Sequence, residues 1–174
     1  MISTSHVTTM AGTFTRLLEM LRPDLLRFAY WLARDRQVAE DVVQETLIRA
    51  WKAGDELRDL SAVRPWLFTI ARREHARLFE RKRLPTVDLD DAEALGDPAL
   101  ATDGDAALLD LRHAILKLPD EYREPLVMQV LGGLSTTEIA TELGLTQAAV
   151  LTRLFRARNR LRTIYGLEPA EDVE

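Results

Sequence analysis

The sequence predicts an all-α protein of two small helical domains joined by an acidic linker, and three observations carry that expectation. Outside residues 84–107 the apolar positions recur at spacings of three and four, with no β-branched alternation. The 84–107 stretch holds seven acids, two prolines, two glycines and no base, so it sustains no apolar face. On either side of it the charge is reversed: residues 1–83 carry 15 Lys and Arg against 11 Asp and Glu, and residues 108–165 carry 8 against 6. The net charge of −5 on 174 residues therefore hides two basic bodies. A phosphate responds to that local field and not to the sum.

In the first body, residues 1–83, Phe14, Leu17, Leu18, Leu21, Leu25, Phe28 and Leu32 mark one helical face, which Pro23 is expected to kink or break. Asp35 can cap a second helix to about Lys52, with Ala39, Val43, Leu47 and Ala50 on its buried stripe and Gly54 at its end. A third helix starts near Ser61, tolerates Pro65 in its first turn, and runs to the basic stretch Glu80-Arg-Lys-Arg83. The second body, residues 108–166, opens with Leu108 to Lys117, breaks at Pro119 and resumes from Asp120 to Leu131, where Gly132-Gly133 stops it. Ser135 and Glu138 make a capping box for a short helix through Ile139, Ala140 and Leu143. Gly144 closes that helix and Thr146 caps a last one, to about Tyr165, ahead of an acidic tail over 167–174. Short helix, glycine turn, longer helix is the helix-turn-helix layout, here Ser135 to Arg156.

Composition removes several function classes. With no cysteine there is no disulfide framework, thiol nucleophile or thiolate zinc site, and His6, His75 and His113 are too scattered for a histidine metal cluster. No glycine-rich phosphate loop and no Ser/His/Asp grouping is present, so no cofactor, metal, catalytic residue or small-molecule substrate is expected. No apolar run approaches the roughly 18 residues of a membrane span, and the first residues lack a signal-peptide order. The expectation is a cytoplasmic binding protein with no membrane insertion, not an enzyme.

Three surfaces carry the functional reading. On the last helix Val150, Leu154, Ala157, Leu161 and Ile164 form the core stripe, which turns Thr152, Phe155 and Asn159 outward, flanked by Arg156. Arg153, Arg156, Arg158, Arg160 and Arg162 occur there without an acid between Leu143 and Tyr165. A solvated basic face is the plain alternative, but an outward Phe155 in a helix-turn-helix favours DNA, where Arg meets phosphates or guanine and Phe or Thr meets a thymine methyl. The third helix gives a second basic run, Arg72, Arg73, Arg77, Arg81, Lys82 and Arg83, interleaved with Trp66, Phe68, Phe79 and His75. Cations with flat rings suit unstacked nucleic acid. Most of these aromatics read as core, leaving Arg72, Arg73, Glu74 and His75 as the contact cluster. On the second helix Asp41 and Glu45 stand four apart, with Gln44 beside them and Ile48 outward, and Glu45 can pair with Arg49. A convex surface makes an acid/base pair a poor reading, and an outward isoleucine among carboxylates reads as a docking patch for a basic protein.

Four segments, Ala39-Glu-Asp-Val-Val-Gln-Glu-Thr-Leu-Ile-Arg-Ala-Trp51, Pro65-Trp-Leu-Phe-Thr-Ile-Ala-Arg-Arg73, Leu118-Pro-Asp-Glu-Tyr-Arg-Glu-Pro125 and Gly133-Leu-Ser-Thr-Thr-Glu-Ile-Ala140, occur in the order found in one family. Over residues 14–166 the chain resembles the extracytoplasmic-function (ECF) group of bacterial sigma-70-type RNA polymerase sigma factors. The resemblance implies that the first body is a region 2 domain and the second a region 4 domain. It places Asp41, Gln44, Glu45 and Arg49, with Ile48, on the helix that docks on the polymerase β′ coiled coil, and pairs region 4 with the β flap. It assigns Arg72, Arg73, Glu74 and His75, with Arg77, to the promoter −10 element, and Thr152, Arg153, Phe155, Arg156 and Arg160 to the −35 element. The acidic linker corresponds to the segment that threads the polymerase cleft, where its charge suits mimicry of nucleic acid. Restraint by an anti-sigma factor and a stress-response regulon are further implications. The sequence departs from the family at Leu151, often a basic residue, and at Ala148-Ala149, often a small loop with glycine.

The alternative is a dimeric helix-turn-helix regulator that binds duplex DNA without polymerase. It leaves the Asp41–Arg49 surface and the 72–83 run unexplained.

Overall fold

The computed structural model describes residues 4–54, 57, 59–82 and 106–168, which are helical with short turns and contain no strand. Two compact units divide the chain, Met1–Leu84 and Pro85–Glu174. Arg83, residues 84–105 of the acidic linker and the tail residues 169–174 lie outside the described residues.

The first unit is three helices packed on one another: α1 (Thr4–Ala33), α2 (Arg36–Ala53) and α3 (Val63–Lys82). Phe14, Leu18, Leu25 and Phe28 of α1 are buried as their spacing requires, and Leu17, Leu21 and Leu32 are half-buried at the stripe's edges. Pro23 does not divide α1. Pro23 and Glu19 are both exposed, so the Glu19 carbonyl that the missing N–H leaves unpaired can be met by water. The chain reverses after α1 at Arg34, whose φ of 53° makes it a non-glycine residue in the left-handed region. The Asp35 side chain then caps α2, Oδ1 accepting from the Val38 N–H at 2.9 Å.

The buried stripe of α2 is rotated from the one the sequence suggests. Val38, Ala39, Val42, Val43, Thr46 and Ala50 are inside, and Leu47 is only half-buried. A hydroxyl at 46 reads as surface, but Thr46 donates to the Val42 carbonyl at 2.6 Å and so enters the core satisfied. Opposite it, Phe28 and Phe68 meet edge to face at 5.0 Å between centroids, and Phe14 packs tilted on Trp66 at 6.2 Å. Asp24 of α1 links to α3 by accepting from Arg64 Nη2 at 2.8 Å. A 3-10 turn over Leu60–Ala62, capped by Asp59, feeds into α3, and Pro65 falls in the first turn. The Ser61 hydroxyl and N–H both donate to Asp59, which holds its carboxyl below the usual carboxylate range.

The second unit holds α4 (Ala106–Leu116), α5 (Asp120–Val130), α6 (Thr136–Leu143) and α7 (Gln147–Ile164). Arg123 is buried at the α4–α5 corner. Its Nη1 donates to the Leu118 carbonyl at 2.9 Å and its Nη2 to Asp120 at 2.5 Å, so a side chain supplies the donor for a carbonyl just past the α4 end. Ile139, Ala140, Val150, Leu154 and Ala157 form the core between α6 and α7. The α7 stripe loses its cover before its end: Leu161 is half-buried and Ile164 is 50 % exposed, so the core contribution expected of Ile164 is corrected.

Gly54 illustrates a shape constraint. Its backbone is ordinary right-handed helix, φ −60° and ψ −29°, but a Cβ there would lie 2.7 Å from the Phe14 ring. Gly54→Ala is expected to destabilise the protein by about 1–3 kcal/mol in urea unfolding, by overpacking. Gly144→Ala is destabilised for another reason, the cost of alanine at its φ of 65°, with nothing within 4 Å of the added methyl.

Candidate nucleic-acid and polymerase interface

The rotation of α2 decides its outward face. Gln44 and Ile48 are exposed and Asp41 and Glu45 half-buried, with Trp51 beside them at 57 % exposure. Trp51 was not among the residues singled out from sequence. An inward stripe centred on Val43 and Leu47 would have brought it nearer the core, and the shift toward Val42 and Thr46 turns it out. Two large apolar side chains, Ile48 and Trp51, thus stand in solvent beside carboxylates and an amide.

Arg49 does not depend on Glu45 for a partner. Its Nε lies 2.5 Å from Glu74 Oε1 on α3, while Arg77 Nη2 lies 2.6 Å from the other carboxylate oxygen. Glu74 is 4 % exposed. The assignment of Glu74 to a contact surface is therefore corrected: it is a buried clamp that joins α2 to α3. The arginines it holds are partly exposed and keep donors at the surface.

Around that clamp α3 presents Arg72, half-buried, and Arg73, exposed. His75 and Phe79, one turn apart, have ring centroids 6.1 Å from each other. Phe79 is 52 % exposed, so among the aromatics of this run it is not core. The basic run therefore keeps a flat ring at its surface, while Phe68 is fully buried.

The helix-turn-helix is built by local hydrogen bonds. The Ser135 Oγ accepts from the Glu138 N–H while Glu138 Oε2 accepts from the Ser135 N–H at 2.8 Å, the reciprocal capping box the sequence announces. Gly144 takes the left-handed conformation that ends α6. The Thr146 side chain accepts from the Ala149 N–H to start α7. Across the turn Gln147 Nε2 donates to Thr136 Oγ1 at 2.9 Å, fixing one helix against the other.

On α7 Thr152, Arg156 and Arg160 are exposed and Arg153 and Phe155 half-buried. Arg160 lies over the Tyr122 ring at 4.7 Å, and Arg158 Nη2 donates to Gln129 at 2.6 Å. Tyr122, Arg156, Asn159, Arg160 and Thr163 line an open depression of about 380 Å³. Two of the five arginines are thus held against α5 and are pre-oriented. Among the described residues no group of His, Asp and Glu could hold a metal ion, and no helix is long and apolar enough to cross a membrane.

Family models match both units, Sigma-70 region 2 over residues 17–84 and Sigma-70 region 4 over residues 108–161. The ECF RNA polymerase sigma factor SigM of Bacillus subtilis is 31 % identical over 159 residues, 88 % of this chain and 96 % of that protein. The chain belongs to the ECF group of sigma-70-type RNA polymerase sigma factors. The ECF sigma factor SigL of Mycobacterium tuberculosis is 36 % identical over 143 residues, 79 % of this chain and 80 % of that one. Among solved structures, the sigma factor RpoE in complex with the anti-sigma factor NepR from Bartonella quintana matches with a TM-score of 0.65 at 30 % identity, over 88 % of this chain and 97 % of that one. CnrH in complex with the cytosolic domain of CnrY matches at 0.58 and 26 % identity, over 91 % and 94 %. The protein is thus a DNA-binding transcription initiation factor that works with RNA polymerase.

Removing the carboxylate charge at the centre of the clamp, Glu74→Gln, is expected to leave two arginines poorly matched and to cost about 1–3 kcal/mol of stability by chemical denaturation. Helix content by circular dichroism at low denaturant should be retained.

Proposed function

We propose that this sigma factor recruits core RNA polymerase through the outward face of α2, with Asp41, Gln44, Glu45, Ile48, Arg49 and the added Trp51. The observation that carries this is the pair of exposed apolar side chains, Ile48 and Trp51, among acidic and amide groups. Such a surface gains from being covered by a basic partner that brings apolar contacts. The β′ coiled coil is that partner, and the β flap meets the second unit.

Arg72, Arg73, His75 and Arg77, now with Phe79, engage the melted −10 element, where cations hold the backbone and the His75–Phe79 pair offers a stacking platform. Glu74 acts behind them as a positioning residue. Thr152, Arg153, Phe155, Arg156 and Arg160 engage the −35 element in the duplex. The functional division follows: 1–83 for docking and −10 recognition, 84–107 as a linker, 108–166 for −35 recognition, and 167–174 as an acidic tail. The protein works in the cytoplasm as a stoichiometric binding factor and catalyses no bond change itself.

Restraint by an anti-sigma factor is part of the proposal. Its support is that RpoE and CnrH were solved bound to NepR and to the cytosolic domain of CnrY. The dimeric regulator is not favoured, because it gives the region 2 unit no task.

Pull-down of bacterial core polymerase followed by run-off transcription from a fragment library tests the whole reading. Starts should come from a small set of fragments, and only when the chain is present. Asp41→Lys should abolish core binding with helix content unchanged, and normal binding by that variant would remove α2 as the docking face. Arg156→Ala should lower discrimination at one −35 position by about 1–3 kcal/mol if it reads a base edge. A uniform loss on all fragments would reduce it to a phosphate contact.

A further inference from the structure

The first two turns of α7 carry a second apolar face, turned away from the core. Leu151 is 52 % exposed, and Ala148 and Thr152 beside it are exposed as well. At about 100° per residue, Ala148, Leu151, Thr152 and Phe155 fall within roughly 100° of one another, opposite the buried Val150, Leu154 and Ala157. Thr152 donates its hydroxyl proton to the Ala148 carbonyl at 3.0 Å, which leaves its methyl as the outward group. Gln147, the amide nearest that face, is held by Thr136 through its Nε2. The cations of the helix begin only at Arg153.

A recognition helix normally reads base edges with amides and guanidinium groups at these positions. Here the leading turns offer aliphatic groups, and the arginines follow only from Arg153 onward. In the major groove one base-edge group is apolar, the 5-methyl of thymine. An exposed leucine in water is neutral at best, and against a methyl it gains by burial. We propose that Leu151, with Thr152 and Phe155 beside it on the same face, determines −35 specificity by packing on thymine methyls. This rests on the reading above that α7 enters the major groove of the −35 element, and names what it recognises there.

The test uses holoenzyme assembled from the full chain and bacterial core polymerase, on promoters recovered from the fragment library. Each thymine of the upstream element, on either strand, is replaced singly by deoxyuridine, which removes the methyl and keeps the pairing. Loss of one or two neighbouring methyls should lower promoter binding about fourfold each, the worth of one buried methyl group. Leu151→Ala holoenzyme should lose a similar factor on thymine DNA and become indifferent to uracil at the same positions. The exposed site and the helix preference of alanine keep this variant folded.

Recovered upstream elements without a shared thymine, or uracil without effect at every position, overturn the inference while leaving the sigma reading intact. Full uracil sensitivity in Leu151→Ala does the same, and would mean that the apolar face is kept for a protein partner. If wild-type holoenzyme starts from no fragment, the sigma reading itself falls, and this inference with it.

Discussion

The buried carboxylate of Glu74 is the interaction on which the first unit's arrangement turns. It forms an ion pair with Arg49 on α2 and accepts from Arg77 on α3, so the helix proposed to meet the polymerase and the helix proposed to meet melted DNA are fixed to one point. A carboxylate this deep is costly unless both oxygens are matched, and here each has a guanidinium. The arrangement also orients the arginines. Each spends part of its donor set inward and presents the rest at a defined place on the surface. The two proposed contact surfaces are thus joined through one carboxylate, and a change that displaces Arg49 on α2 also reaches α3.

In the second unit the constraint is local. The capping box, the left-handed Gly144, the Thr146 cap and the Gln147–Thr136 bond lie within fifteen residues of chain and fix the turn between α6 and α7. The stacking of Arg160 on Tyr122 and the bond from Arg158 to Gln129 then fasten α7 against α5. For the proposed contact with DNA the consequence is that these two arginines are already oriented, so their rotations need not be frozen on binding.

These two situations explain how much the sequence disclosed. Helix ends governed by capping residues, Asp35, Ser135 with Glu138, Gly144 and Thr146, were legible because cap chemistry is short-range. So was the all-α class, since period and turn residues agree over the described residues. What stayed hidden depends on residues far apart in the chain. Glu74 lies in a polar run and reads as surface until α2 is laid against α3. Thr46 lies inside and Trp51 outside because the α2 stripe is set by packing on α1 and α3, not by α2 alone. Phe79 is exposed beside His75, while Phe68 on the same helix is buried against Phe28, a difference residue type alone does not show. Leu151 departs from the family in the sequence, but only the folded helix shows that it faces outward.

Gly54 and Phe14 lie forty residues apart and yet form a single unit of shape. Because the glycine is required by the ring and not by its own backbone angles, the two positions have a shared history. A lineage that shortens residue 14 releases position 54 to accept alanine and its better helix preference, while one that keeps the ring must keep the glycine. The pair should therefore covary across descendants of this chain, whereas Gly144, held by its own dihedral angles, should stay glycine whatever its neighbours become.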